Sequence, residues 1–214
     1  EDQFISIAGS SWATLALLLS LPDASSDESS VTSSDLPAKV TRWFVPQDWR
    51  RDTNGPIVEL GQPGAFDDMH IFAPCVARLD GDYWLWYSGS TDSVAQRVFH
   101  LGLATSADGR DFKKHANNPI YTFGDAEHSI LTPTLCRSAD GHVLHEDGQL
   151  RMWFSSTHFA GGTGRHTLHE TTSADGLNWS APSHPLLENV YAPTLLKADD
   201  EYRLWYVDVS AAAW

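Results

Sequence analysis

The sequence predicts an all-β protein, a β-propeller of four-stranded antiparallel blades. Three observations carry that expectation. A unit of about 60 residues recurs along the chain, each unit holds a segment crowded with aromatic residues, and Asp-Gly turns separate the apolar stretches. Radial repetition of small sheets leaves only short, protected edges. Helical repeats of similar length lack this alternation and these turns.

The first strand of each unit is apolar, with a proline near its start. It reads Ala73-Pro74-Cys75-Val76-Ala77-Arg78-Leu79, then Thr132-Pro133-Thr134-Leu135-Cys136-Arg137, then Ala192-Pro193-Thr194-Leu195-Leu196-Lys197, with the prolines 59 and 60 residues apart. A polar turn leads to an aromatic strand: Tyr83-Trp84-Leu85-Trp86-Tyr87, Leu150-Arg151-Met152-Trp153-Phe154 and Tyr202-Arg203-Leu204-Trp205-Tyr206. Apolar and polar residues alternate only partly there, which predicts cover on both faces. The regular recurrence of Trp84, Trp86, Trp153 and Trp205 assigns them to the core between blades. A third strand runs into Ser106-Ala107-Asp108-Gly109, and again into Ser173-Ala174-Asp175-Gly176, where Asp-Gly signals a hairpin. An aromatic residue three positions later, Phe112 or Trp179, and then Pro119 or Pro185 mark the fourth strand.

The same tail, Trp49 to Pro56, stands alone ahead of the first unit, and the third unit is recognisable only to its second strand, near Tyr206. About two and a half blades are therefore expected. The Trp49 segment reads as a strand that closes a ring. An incomplete product, or self-association that completes the ring, would account for the missing blades.

Residues 39–214 are expected to form the partial propeller and residues 1–38 to lie outside it. Phe4 to Leu21 carries no charge and has the size of a signal-peptide apolar region, yet the chain opens on Glu1-Asp2. An export signal or its remnant would place the protein in the periplasm or outside the cell. A helix packed on the domain leaves it cytoplasmic. Residues 22–37 are Ser-rich and acidic and read as a linker.

Composition narrows the partners. With 42% hydrophobic and 20% charged residues, 214 residues can bury a real core. The 28 Asp and Glu against 14 Lys and Arg give a net charge of −14, which argues against nucleic acid and against anionic membrane surfaces. The 11% of aromatic residues suits strands and stacking surfaces. Two cysteines make no disulfide framework and no zinc spacing. Cys75 and Cys136 share a parity after equivalent prolines, so the same face of neighbouring strands is expected. Buried thiols and a disulfide both fit that placement.

Gly64-Ala65-Phe66-Asp67-Asp68, Phe72-Ala73-Pro74, Tyr83-Trp84-Leu85-Trp86-Tyr87-Ser88-Gly89 and Leu101-Gly102-Leu103-Ala104-Thr105-Ser106-Ala107-Asp108-Gly109 carry a resemblance. Over residues 42–209 the sequence resembles the five-bladed propeller glycoside hydrolases of the arabinanase, β-xylosidase and invertase superfamily. The resemblance implies a carbohydrate pocket at the axial mouth, where the innermost strands begin. It further implies a first-blade Asp as base or nucleophile, a second-blade Asp that tunes and positions, and a third-blade Glu as general acid.

Glycoside hydrolysis needs two carboxyl groups about 5–9.5 Å apart, one protonated and one ionised. Asp68 and Glu127 each lie six residues before their proline and Glu188 lies five before its own, so all three acids precede innermost strands of consecutive blades. Asp68 is the candidate base or nucleophile, Glu188 the acid and Glu127 the orienting carboxylate, with Asp67 and Asp125 as near substitutes. The superfamily usually places its first Asp directly before the strand proline, where this chain has Ala73, Thr132 and Ala192. Acids on approach loops would then bind sugar hydroxyls without catalysis. His70 and His128 flank the acids and are candidates for substrate hydrogen bonds; no metal motif accompanies them. Phe72 and Tyr191, each before an Ala-Pro pair, are the candidate sugar-stacking platforms. His158, His166 and His169 surround Gly161-Gly162-Thr163-Gly164, a loop with no following helix and so no phosphate cradle.

The leading expectation is a glycoside hydrolase acting on a polysaccharide or oligosaccharide by acid-base catalysis, without a cofactor or metal. The rivals are a non-catalytic carbohydrate-binding or interaction propeller and an inactive piece of such an enzyme.

Overall fold

A two-residue turn with both φ angles positive selects Asp, Asn or Gly, and Asp80-Gly81 (φ 50° and 92°) and Asp147-Gly148 (φ 52° and 74°) are turns of this kind. Each joins two antiparallel strands in the computed structural model, which describes residues 54–93, 95–138, 141–160 and 165–210. The apolar segment 4–21, the linker, Trp49 of the closing segment and the 161–164 loop lie outside the described residues.

The first blade is a four-stranded antiparallel sheet in the order β1 (His70–Leu79), β2 (Asp82–Ser90), β3 (His100–Ser106), β4 (Lys113–Lys114). The second contains β5 (Leu131–Leu135), β7 (His145–Glu146), β8 (Gln149–Ser156), β9 (Thr167–Ser173) and β10 (Leu187–Glu188), while β6 (Arg137–Ser138), between β5 and β7 in the chain, joins the third sheet. The path of the second is β5-β8-β9-β10, with β7 added to β8. The third pairs β11 (Val190–Ala198) with β12 (Glu201–Asp208), and β6 lies parallel to β11. The chain thus has the expected all-β propeller fold, with about two and a half blades among the described residues.

At each inner-strand proline the ladder slips, between Phe72 and Cys75, Leu131 and Thr134, and Tyr191 and Thr194. Proline has no N–H to give, and the extra residue forms a bulge that re-aims its neighbours. The residue before each proline sits in the left-handed region: Ala73 at φ 52°, Thr132 at 47° and Ala192 at 50°. Such a conformation costs on the order of 1–3 kcal/mol, yet it recurs three times.

The core lies between the sheets. Cys75, Ala77, Trp86, Leu101 and Leu103 of the first blade meet Ile130, Leu135, Met152 and Phe154 of the second. Cys136, Trp153 and Leu168 then meet Val190 and Leu195 of the third. Each large side chain so buried contributes about 1.5–3 kcal/mol. Trp86 and Trp153 are buried as their recurrence implied, whereas Trp205 is half-buried on β12, which has a neighbouring strand on one edge only among the described residues.

Both cysteines are buried free thiols, and they belong to different layers of the core. Equal parity does put them on the same face of their blades. In a stack, however, that face of successive blades looks into successive interfaces, so the two never meet.

The Ser-Ala-Asp-Gly segments are turns held by side chains. In the second blade the amides of Leu177 and Asn178 donate to Asp175 Oδ1 at 2.9 and 2.8 Å, and the Gly176 amide donates to Ser173 Oγ at 2.9 Å. The Asn178 amide and side chain, and then the Leu177 amide, hold the Asp175 carboxyl far below its usual range. The turn meets the first blade directly, because Trp86 Nε1 donates to Gly176 O at 3.0 Å. Gly176 has φ 73°, and a Cβ there would lie 3.2 Å from the rings of both Trp84 and Trp86.

An ion network ties the second blade to the third. Glu146 accepts from Arg151 Nη1 at 2.9 Å, from Tyr202 OH at 2.7 Å and from Lys197 Nζ, and Arg151 Nε also donates to Glu170. Burial pushes the Glu146 pKa up, but hydrogen bonds from Lys197, Tyr202 and Arg151 outweigh it and bring the pKa to about 2.

Both interfaces can be probed by substitution. Gly176→Ala should destabilise the protein by about 1–3 kcal/mol, whereas Gly55→Ala, with open space around it, should stay within about 0.5 kcal/mol; urea denaturation compares the two. The Glu146 contribution should be complete above its ordinary pKa of 4.5 and fade as pH falls toward about 2. Thermal melts of wild type and Glu146→Gln should therefore differ most near neutrality and converge in acid.

Candidate functional site

The inner strands β1, β5 and β11 begin at one common end of the sheets. Ile130 N donates to Phe99 O at 2.8 Å and Ser129 N to Thr157 O at 3.0 Å, which places the start of β5 beside the start of β3 and the end of β8. Val190 N donates to His166 O, placing the start of β11 beside that of β9. This end is the mouth of the partial propeller, and Asp68, Glu127 and Glu188 all lie there.

The loop ahead of β1 is anchored by Asp67, which is only 2% exposed. Its Oδ2 accepts from Lys114 Nζ at 2.6 Å and Tyr87 OH at 2.8 Å, while its carbonyl accepts from Gly61 N. Asn118 Nδ2 donates to Tyr87 OH at 3.1 Å and extends the network. Burial first, and then the hydrogen bond to Asp67, push the Tyr87 hydroxyl far above its usual pKa. The loop packs so closely that a Cβ on Gly89 would come within 2.6 Å of Asp67 Cβ. Asp67, a candidate for substrate contact, is thus committed to holding the loop.

Its neighbour Asp68 faces the other way in chemical terms. Oδ2 accepts from Gly64 N at 2.6 Å, and Oδ1 is buried without a hydrogen-bond partner. The Thr91 hydroxyl and then the Gly64 amide hold the carboxyl below its usual pKa. His70 and Phe72 follow on β1, where His70 Nε2 lies 3.1 Å from Asp92 O and Phe72 meets Phe99 edge to face at 4.7 Å.

On the second blade Asp125 forms a side-chain-capped turn. Its Oδ1 accepts from the amides of Glu127 and His128 at 2.9 and 2.8 Å, and Oδ2 lies 2.8 Å from His128 Nδ1. His128 stacks on Phe123 at 4.9 Å and lies 5.8 Å from the His158 ring. Glu127 is 65% exposed, 3.9 Å from His158 Nδ1. His169 is buried behind Phe123, between Thr167 Oγ1 and the Ser183 carbonyl, and burial lowers its pKa.

Glu188 is exposed on β10, paired in register with Thr167. Tyr191 is half-buried at the start of β11, with His166 edge to face at 5.1 Å. Contacts therefore unite Glu127 with the histidine pair, and Phe72 with His70 through Phe99. None of the contacts among the described residues joins Asp68, Glu127 and Glu188 to one another, and none of those residues groups three His, Cys, Asp or Glu for a metal ion.

Sequence reasoning missed Arg97, Phe99 and Phe159. Arg97 lies over the Phe159 ring at 4.5 Å and the Phe99 ring at 5.8 Å, and Phe99 and Phe159 meet edge to face at 6.0 Å. The available signal was positional: Phe99 and His166 each stand two residues before the first leucine of a third strand.

No family model matches the chain. It is 23% identical over 162 residues to the uncharacterized protein Rv1502 of Mycobacterium tuberculosis strain H37Rv, covering 71% of this chain and 52% of that protein. The uncharacterized protein MT1551 of strain CDC 1551 matches to the same extent. The chain spans about half the length of these curated relatives. Among solved structures, a BT0996 RGII complex superposes with a TM-score of 0.55 at 13% identity, over 72% of this protein and 47% of that one. A GH32 β-fructofuranosidase of Bombyx mori in complex with sucrose gives a TM-score of 0.49 at 18% identity, over 61% and 28%. What the chain shares with the first of these structures is its fold.

The Asp67 network yields a prediction. Tyr87→Phe should cost about 1–3 kcal/mol by leaving Asp67 buried with fewer donors. Amide exchange should rise in residues 61–69 while the β8–β9 ladder stays protected.

Proposed function

We propose that the mouth binds carbohydrate and that the protein is a glycoside hydrolase-like propeller. In this reading Asp68 is the base or nucleophile, Glu188 the general acid and Glu127 the orienting carboxylate. The observation that carries the proposal is the placement of these acids ahead of three successive inner strands, at one end, beside Phe72 and Tyr191. The lowered pKa of Asp68 suits a group that must be ionised to act. His70 and His128 offer hydrogen bonds to sugar hydroxyls, and Phe72 and Tyr191 offer apolar ring faces. Acid-base chemistry of this kind needs no cofactor.

A second reading, non-catalytic carbohydrate binding, draws on one specific observation. Glu127 and Glu188 are both open to water, whereas a general acid works best in an apolar surround that keeps its proton. Assays with chromogenic arabinosides, xylosides, fucosides and galactosides separate the readings. Under the first, Asp68→Asn and Glu188→Gln should each lower kcat/KM by about a hundredfold or more. Unchanged activity in both variants would sink the assignment, and sugar binding without turnover in wild type would support the second reading.

A further inference from the structure

Resting on the carbohydrate reading of the mouth, we infer that its ligand carries a carboxylate, as a uronic acid unit does, and that Arg97 receives that group. Arg97 has no hydrogen bond or ion pair among the described residues, although carboxylates are abundant at this end of the sheets. Its Nε is buried without an acceptor. A buried donor in that condition is rare, because desolvation is uncompensated. Cation–π contact with Phe99 and Phe159 holds the guanidinium plane but gives Nε nothing to bond.

The surroundings point the same way. Ser88 Oγ, His100 Nδ1 and Ser156 Oγ are also buried and unpartnered, at the end of β2, the start of β3 and the end of β8. All three positions belong to the mouth. Arg97 also acts electrostatically on Tyr191, which links it to the third blade. A planar guanidinium packed over the Phe159 ring, with Phe99 beside it, is preorganised for two parallel hydrogen bonds to a two-oxygen anion. In a chain of net charge −14, an unpaired cation at the mouth gives an anionic sugar a favourable landing point.

Titration calorimetry with glucuronate- and galacturonate-containing disaccharides and their neutral methyl esters tests the inference. Wild type should bind at least one free acid about tenfold or more tighter than its ester. Arg97→Gln should abolish that preference. Arg97→Lys, which keeps the charge and loses the fork, should retain part of it. The acid-ester comparison in wild type needs no variant, so it stays decisive even where Arg97→Gln fails to fold. Equal binding of acid and ester overturns the uronate inference and leaves the carbohydrate reading intact. Binding of neither overturns both. A preference that survives Arg97→Gln, or binding of sulfated disaccharides in place of uronates, also overturns it.

Discussion

A four-stranded blade cannot be wet on its middle strands, because β2 and β8 carry large apolar side chains on both faces. Every blade therefore needs a neighbour on each side, and the fold depends on how one blade is keyed to the next. Between the first and second blades the key is the indole of Trp86, which fills the interface and donates its one N–H to the Gly176 carbonyl. The Ser173-to-Asn178 turn is rigid enough to receive it because two side-chain oxygens hold its amides. A residue with a Cβ at position 176 would meet both Trp rings, so Gly176 is fixed by packing as well as by turn geometry.

The second and third blades solve the same problem with different chemistry. Their interface contains Trp153, Leu168 and Leu195, but it is closed at the end away from the mouth by Glu146, Arg151 and Lys197 with Tyr202. Arg151 lies over the Trp153 ring at 4.8 Å, so the ion pairs sit on the aromatic layer. The charged groups are partly shielded from water, and charge-assisted hydrogen bonds are stronger there than at an open surface.

The propeller was legible because its signal is repeated. The inner-strand prolines recur three times at nearly one spacing, each is followed by an aromatic strand, and the Ser-Ala-Asp-Gly turn occurs twice, a combination that is hard to produce by accident. Single residues were less legible. Asp67 and Asp68 are adjacent acids with no local difference in sequence, and only the tertiary contacts from Lys114 and Tyr87 turn the first into a buried anchor. Strand parity placed Cys75 and Cys136 on like faces, and the stacking of blades then put them in separate layers. Arg97 belongs to no repeated pattern, and its partners Phe99 and Phe159 come from different blades, so nothing local announces their meeting.

The strained residue before each inner proline connects fold to site. A bulge at Ala73, Thr132 and Ala192 costs backbone energy three times over, and a proline followed by a regular ladder could have been avoided by any other residue. What the bulge supplies is a change of register at this end of the strand: His70, Ile71 and Phe72, and likewise Val190 and Tyr191, lie ahead of it and still pair with β2 and β12, and the chain leaves the sheet only further upstream. Asp68, Glu127 and Glu188 stand ahead of the bulge. At Thr132 the side chain stays within the blade, hydrogen-bonded to Ser155 Oγ at 2.6 Å, and at the other two positions it is a methyl group. The kinked backbone is therefore kept without an acid at the kink: Asp68 stands on the loop that Asp67 anchors and Glu127 on the turn that Asp125 caps, while Glu188 lies on β10, paired with Thr167.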